Sequence, residues 1–241
     1  MIPVVITASP RDKETHRQCL SSVYTAGFRD VTICCEPGTE LSANGVPWCT
    51  KIEHRERMGQ WRNFVFALKW HLFRSAGDVF CTMEDDIVLC ENVAELLERE
   101  PWPSHQCGCV QLYAPQAYDR FPVGERSLLT IETSLDMLGA CALLFSRAAA
   151  QCLVHYADVN GWRGDAYQEI DNPADKKAAD TFVGEVLTLE KFLIYTRNPS
   201  LADHIGDKST LGHKGDTPRR QALNFPGRTA NAMEVFRRCC A

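Results

Sequence analysis

Short β-branched apolar runs alternate with segments of helical periodicity through the first hundred residues, and this alternation restricts the fold more than any other feature of the chain. Ile2 to Thr7 is a nearly continuous apolar run, the pattern of a strand buried on both faces. Residues 13–27 set Cys19, Leu20, Val23 and Tyr24 on one helical face, and Gly27 ends that helix. Asp30 to Cys35 reads as a second strand, closed by Glu36-Pro37-Gly38. Beyond a loop rich in Gly, Pro and Asn, residues 59–75 place Trp61, Phe64, Leu68 and Leu72 along one stripe of an amphipathic helix. Asp78 to Met83 is predicted as a third strand and Glu91 to Glu100 as a short helix stopped by Pro101 and Pro103. Strands that alternate with helices pair in parallel through right-handed crossovers, so the expected fold is α/β.

The second half is less regular. Gly108 to Tyr113, Leu128 to Thr133 and Ala140 to Phe145 read as strands, followed by a helix from Arg147 to about Tyr156. Residues 157–175 read as a polar loop, 178–190 as a helix and Phe192 to Thr196 as a last strand. Neither repeats nor low-complexity segments occur. The expected organisation is one domain over 1–204. Residues 205–241 are expected to form a flexible basic C-terminal segment.

Composition narrows the class. The chain has 241 residues, 45% hydrophobic and 24% charged, which excludes a disordered, collagenous or coiled-coil protein. A chain of this length buries roughly 70% of the surface it exposes when unfolded. Net charge is −5, unevenly spread: residues 1–204 carry 19 Lys and Arg against 28 Asp and Glu, whereas residues 205–241 carry 7 against 3. A basic end on an acidic body indicates either an anionic ligand near that end or a solvated tail.

Twelve cysteines are present, but Cys34-Cys35 and Cys239-Cys240 are adjacent and others lie inside apolar runs. No C-x-x-C pair occurs, which argues against zinc and for buried free thiols in a reducing cytoplasm. The apolar N-terminus is too short and lacks the basic flank of a signal peptide, and no run approaches the roughly 20 apolar residues of a membrane span. A cytoplasmic protein is expected.

The chemically informative segment is Glu84-Asp85-Asp86, directly after the third strand. Ligands of open α/β sheets lie beyond the carboxyl ends of the strands. Three adjacent carboxylates there repel one another, and oxygen ligands suit Mg2+ or Mn2+ sharing its coordination sphere with substrate phosphates. A solvated acidic turn capping a helix is the plain alternative. The first strand ends in Thr7-Ala8-Ser9-Pro10-Arg11, small residues followed by a cation, and the second in Glu36, placed to accept from a base edge. Gly59-Gln60-Trp61-Arg62-Asn63 opens a helix, a setting suited to phosphate. Trp61 serves equally well as core or as a stacking surface. Late in the chain, His204 heads a loop containing Gly206, Lys208, Ser209 and Thr210 that is suited to closing over a diphosphate.

Taken in order, these segments, with Ala26-Gly27-Phe28, Gly139-Ala140, Leu144 to Arg147, Asp180 to Gly184 and Pro199 to Gly212, resemble the nucleotide-sugar glycosyltransferases of the GT-A fold, in particular a family-2-like bacterial and phage branch. The resemblance implies a Rossmann-like, mixed and mainly parallel sheet with helices on both faces, a nucleotide-binding half near 1–100, an acceptor half near 101–204, and a basic segment over 205–241 that completes or covers the active site. Glu84-Asp85-Asp86 would be its DxD motif. Asp86 would bind Mn2+ or Mg2+ directly with Asp85 in the metal set, Glu84 and Asp85 would face ribose or metal-bound water, and His204 would be a metal or diphosphate ligand. Thr7, Ala8, Arg11 and Glu36 would form the nucleoside pocket, with Arg62, Gly139 and Ala140 also on the donor. Lys208 and Ser209 would join the donor site when their loop closes.

By the same resemblance Asp180 would be the catalytic base of an inverting displacement, with Asp171 and Asp175 in reserve. A helix N-cap is the structural alternative for Asp180. The donor implied is a UDP-sugar, and the acceptor a saccharide, a small molecule or a hydroxymethylated base in DNA. Contact with DNA would fall to Lys208, Lys214, Arg219, Arg220, Arg228, Arg237 and Arg238. Two rivals are a nucleotidyltransferase, which needs a Gly-rich basic loop that Ser9-Pro10-Arg11 does not supply, and a non-catalytic binding protein on the same scaffold. The sequence leaves the oligomeric state open.

Overall fold

The computed structural model describes residues 1–11, 13–41, 48–115, 128–131, 137–159, 179–206, 221–222 and 224–239. An eight-stranded sheet forms its centre, in the order β3-β2-β1-β4-β8-β6-β9-β7. The strands are β1 (Val4–Ala8), β2 (Val31–Cys35), β3 (Cys49–Glu53), β4 (Val79–Glu84), β6 (Cys107–Gln111), β7 (Leu128–Ile131), β8 (Ala142–Ser146) and β9 (Leu193–Arg197). Parallel pairing joins β3, β2, β1 and β4, and also β6 and β9, whereas β8 runs against both of its neighbours and β7 against β9. The sheet is therefore mixed and mostly parallel, as expected.

Helices cover both faces because the strands point apolar side chains both ways. Val4, Ile6, Ala8, Ile33, Cys81 and Met83 pack with Cys19, Leu20 and Val23 of α1 (Lys13–Thr25). On the opposite face, Phe80, Leu143 and Phe145 meet Trp61, Phe64 and Leu68 of α2 (Gly59–Arg74), with α4 (Arg147–Val159) and α5 (Ala179–Leu189) completing the layer. Trp61 is thus a core residue, edge-on to Phe182 at 4.6 Å between ring centroids. Gly27 ends α1 at φ +93°, a backbone state that costs other residues strain, and Phe28 N donates back to Val23 O at 3.3 Å. Tyr24, expected on the buried face, is 47% exposed and lies under the Arg29 guanidinium.

Four elements are not apparent from sequence periodicity. β3 is hidden in a loop-like stretch because it is an edge strand with three of its five residues exposed and none buried. β5 (Ile87–Leu89) and β10 (Ala202–His204) are three residues each and pair antiparallel as a separate small sheet. The segment expected to be a flexible end instead contains α6 (Ala232–Cys239), which packs near α3 (Val93–Arg99). Ala232 is buried, Ala232 N donates to Glu91 O at 2.9 Å and Glu91 N donates to Ala230 O at 3.0 Å. The polar loop expected over 157–175 lies outside the described residues from 160 onward.

The ten cysteines whose side chains are described are all free thiols, seven of them buried. Burial pushes the Cys34, Cys90 and Cys107 thiols up to about 12, so they behave as small apolar residues. Among the described residues, no helix is long and apolar enough to cross a membrane.

His71 of α2 links the core to pH. It is 2% exposed, stacks on Phe80 at 4.4 Å and donates from Nε2 to Cys81 O at 2.8 Å. Burial pushes its imidazolium down to about 4 against an ordinary 6.5, the hydrogen bond to Cys81 only partly opposing this. Below the ordinary value the unfolded chain binds the proton that the fold refuses. The stabilisation is therefore complete above about pH 6.5 and is lost as pH falls towards 4, on the order of 3 kcal/mol in all. Urea unfolding midpoints should fall across this window, and His71→Gln should flatten that slope; an unchanged slope in the variant would assign the pH response elsewhere.

Candidate active site

Parallel pairing aligns the carboxyl ends of β1, β2 and β4, with Thr7 beside Glu84 and Ala8 beside Cys35. Ala8 itself is buried, and the Thr7 hydroxyl donates to Met83 O at 3.3 Å. At the neighbouring edge, β8 begins next to β4, and Glu84 N donates to Cys141 O at 2.8 Å. The acidic tripeptide therefore sits where the parallel half of the sheet meets a reversed strand, the position where such sheets hold ligands.

Its three carboxylates have different surroundings. Asp85 is 4% exposed and turns toward β1 and α1. Its Oδ2 accepts from Ser9 N and from His16 Nε2, each at 2.8 Å, and its Oδ1 lies 2.9 Å from Arg11 Nε. Asp86 Oδ2 pairs with Arg11 Nη1 and accepts from His204 Nε2 at 3.0 Å, while its buried Oδ1 has no hydrogen-bond partner among the described residues. Glu84 Oε1 accepts from Gln60 Nε2 at 2.6 Å.

Electrostatics separates them further. Burial, then the neighbouring Asp86 charge, holds Glu84 above the ordinary carboxylate range. Burial also acts on Asp86, but the His204 hydrogen bond and charge and the Arg11 guanidinium outweigh it and hold Asp86 below that range. Burial works against the Arg11 charge, and Asp85 and Asp86 more than restore it.

Glu84, Asp86 and His204 each offer a ligand atom, all within 4.8 Å of one another. At that spacing and an effective dielectric of about 20, two carboxylates repel by roughly 3–4 kcal/mol. Arg11 is the permanently charged cation set against these three carboxylates, and His204 adds charge only when protonated; with His204 neutral, as a metal ligand must be, a deficit remains that a divalent cation matches. Two observations fit a metal here. Asp86 Oδ1 is a buried acceptor with no donor among the described residues. At Gly206 a Cβ would lie 2.4 Å from Asp86 Oδ2 and 3.0 Å from His204 Cε1, so only glycine leaves this space open. The carboxylate oxygens suit a hard divalent ion such as Mg2+ or Mn2+, and the imidazole adds a ligand typical of transition metals. His204 arrives through the small sheet, where it pairs with Ile87 and Ile205 N donates to Asp86 O at 2.8 Å.

The structure rearranges several expected roles. Asp85 lies outside the ligating group because its oxygens already receive Ser9, His16 and Arg11, and Glu84 takes its place. Arg11, expected in the nucleoside pocket, sits on the acidic pair. Glu36 is 5% exposed; its Oε2 accepts from Met58 N at 2.7 Å, and its Oε1, like the buried Thr39 hydroxyl, has no hydrogen-bond partner among the described residues. Arg62 is exposed on α2.

Gly139 and Ala140 line the far side of the site. Gly139 adopts φ +79° and donates N–H to Asp180 Oδ2 at 2.8 Å, while Asp180 Oδ1 accepts from Thr181 N at 2.8 Å. Ala140 joins Thr7, Gln60, Phe64, Thr82 and Glu84 around a small, partly enclosed cleft. Gln60 and His16 are site residues that sequence reasoning does not supply. Gln60 stands in a segment already singled out, but nothing local ties His16 to Asp85. Lys208, Ser209, Asp171, Asp175, Lys214, Arg219 and Arg220 lie outside the described residues, as does the side chain of Arg238.

No protein-family model and no curated protein matches the chain. Solved structures do. The chain is similar to the mannosyltransferase PcManGT from Pyrobaculum calidifontis in complex with GDP-Man and Mn2+, at 15% identity and a TM-score of 0.57, over 88% of this chain and 59% of that one. S. aureus TarS, residues 1–349, is 12% identical with a TM-score of 0.47 over 82% of this chain and 61% of that one. A protein from Bacillus anthracis assigned as a glucose-1-phosphate thymidylyltransferase, in complex with a sucrose, is 8% identical with a TM-score of 0.45 over 88% and 92%. The chain thus spans about three fifths of the mannosyltransferase, and at 15% identity the likeness is one of architecture. With its mixed, mostly parallel sheet and its acidic cluster at the strand ends, the chain has a GT-A-like glycosyltransferase fold.

Proposed function

We propose that this protein is a divalent-metal-dependent glycosyltransferase that moves a sugar from a nucleoside diphosphate, UDP first among the candidates, to an acceptor hydroxyl with inversion. The observation that carries this reading is the Glu84, Asp86 and His204 group at the carboxyl edge of the parallel strands, under-compensated in charge and kept open by Gly206. Those three residues would hold Mn2+ or Mg2+, which when bound neutralises charge on the departing diphosphate as a Lewis acid.

The chain's own groups supply the remainder. Glu36 is pinned by Met58 N, and its Oε1, without a donor among the described residues, would accept from an N–H of the base. Gly139 and Ala140 would carry the sugar across the cleft. Asp180, braced by Gly139 N and Thr181 N, keeps lone pairs to accept the proton of an attacking hydroxyl. The acceptor is proposed to be a saccharide, a small molecule or a hydroxymethylated DNA base. Of the basic residues invoked for DNA, Arg228 and Arg237 are exposed.

Asp86→Asn should lower donor turnover by two orders of magnitude or more, the scale of several kcal/mol that Lewis-acid stabilisation provides. Gly206→Ala should weaken Mn2+ binding about tenfold, as perturbed ligand surroundings commonly do, with a near-native melting temperature. Calorimetry showing unaltered Mn2+ affinity in both variants would refute the metal assignment. Asp180→Asn keeps a carbonyl for Gly139 N and should lower kcat by about 10²–10⁴ at constant donor KM. A fall in melting temperature at unchanged kcat would make Asp180 a brace for α5 alone.

A further inference from the structure

Among the described residues, Arg11 is the side chain that touches both Asp85 and Asp86, and its two ends meet different fates. Its Nε lies 2.9 Å from Asp85 Oδ1, on a carboxylate that Ser9 N and His16 Nε2 hold from the other side. Its Nη1 rests on Asp86 Oδ2, the oxygen that also receives His204 and faces the space above Gly206. One end of the guanidinium is therefore held by charge against Asp85, its Nε making no hydrogen bond among the described residues, while its Nη1 covers an atom of the proposed metal site.

From this geometry, and resting on the donor-site reading above, we infer that Arg11 is an exchangeable counter-ion: without donor it caps Asp86 Oδ2, and when a diphosphate enters it passes Nη1 to a phosphate oxygen while keeping Nε on Asp85. A guanidinium suits this exchange because it is permanently charged and its planar fork matches carboxylate and phosphate alike. Asp86 is the carboxylate that attracts Arg11 at that end, so a doubly charged phosphate group is a competitive partner. Arg11 at 14% side-chain exposure stays within reach of an entering ligand. The consequence is thermodynamic. Arg11 on Asp86 Oδ2 and a divalent ion on either oxygen of that carboxylate compete for its single charge, and the diphosphate relieves that competition. Part of the coupling between metal and nucleotide then resides in Arg11, and by reciprocity it strengthens each ligand's binding in the presence of the other. Arg11 is accordingly a binding residue for the diphosphate rather than for the nucleoside.

The test needs no turnover. Mn2+ binding to the intact chain is followed by loss of the free-ion electron paramagnetic resonance signal, with and without saturating UDP or GDP, in wild type, Arg11→Gln and Arg11→Lys. In Arg11→Gln, Mn2+ alone should bind at least about fivefold tighter than in wild type, and the extra affinity conferred by nucleotide should shrink by a similar factor, the lower end of common coupling strengths. Arg11→Lys, which keeps the charge but loses the fork, should fall between the two. Wild-type Mn2+ affinity in Arg11→Gln, or undiminished nucleotide coupling, would overturn the inference and leave the donor site standing. Failure of both variants to fold counts against it as well, since a side chain indispensable to folding is not free to change partners. Absence of Mn2+ and nucleotide binding in wild type would instead remove the donor-site reading on which the inference rests.

Discussion

Three consecutive carboxylates at a strand end, two of them 4% exposed, repel one another strongly enough that the surrounding fold must supply compensation. It does so from five directions: Ser9 N beyond β1, Arg11 in the same loop, His16 on α1, Gln60 on α2 and His204 on β10. These groups belong to elements that also build both faces of the core. Charge compensation and core packing are therefore coupled, because His16 reaches Asp85 only when Cys19 and Val23 seat α1 against the sheet. The compensation is uneven. Asp85 receives Ser9 N and His16 on one oxygen and faces Arg11 with the other, whereas Asp86 retains an acceptor with no donor among the described residues.

The reversal of β8 serves the same site. An antiparallel strand beside β4 brings Cys141 O to Glu84 N and carries Gly139 and Ala140 to the rim of the cleft. Gly139 is needed there because its positive φ lets the chain turn beneath the Tyr113 ring, which a Cβ would approach at 3.0 Å. Asp180 then fastens this turn to the start of α5. The carboxyl ends of the parallel strands and the Ala140 wall of the cleft thus meet at one edge of one sheet.

Much of this arrangement is legible in the chain's own residue pattern. The strands β1, β2 and β4 and the helices α1 and α2 carry unambiguous periods, and Glu84-Asp85-Asp86 follows a strand in plain view. Elements of three residues are not legible, since β5 and β10 are too short for a period to show and exist because they pair with each other. Helix α6 is obscured by its basic character, although it seats Ala232 in the core. The division of labour among the carboxylates is equally hidden. Nothing local distinguishes Asp85 from Asp86; only the direction in which each side chain leaves the strand end does.

The sequence by itself determined the alternation of buried strands and two-sided helical cover, and hence the class of sheet and the edge at which a ligand must sit, because side-chain period and burial are local properties of the chain. Tertiary structure alone decided that Glu84 and Asp86 join His204, that His16 and Arg11 hold Asp85, and that Gly206 must remain without a side chain. Those contacts join residues far apart in the chain, and the forces between them arise only after packing has excluded water and brought like charges close.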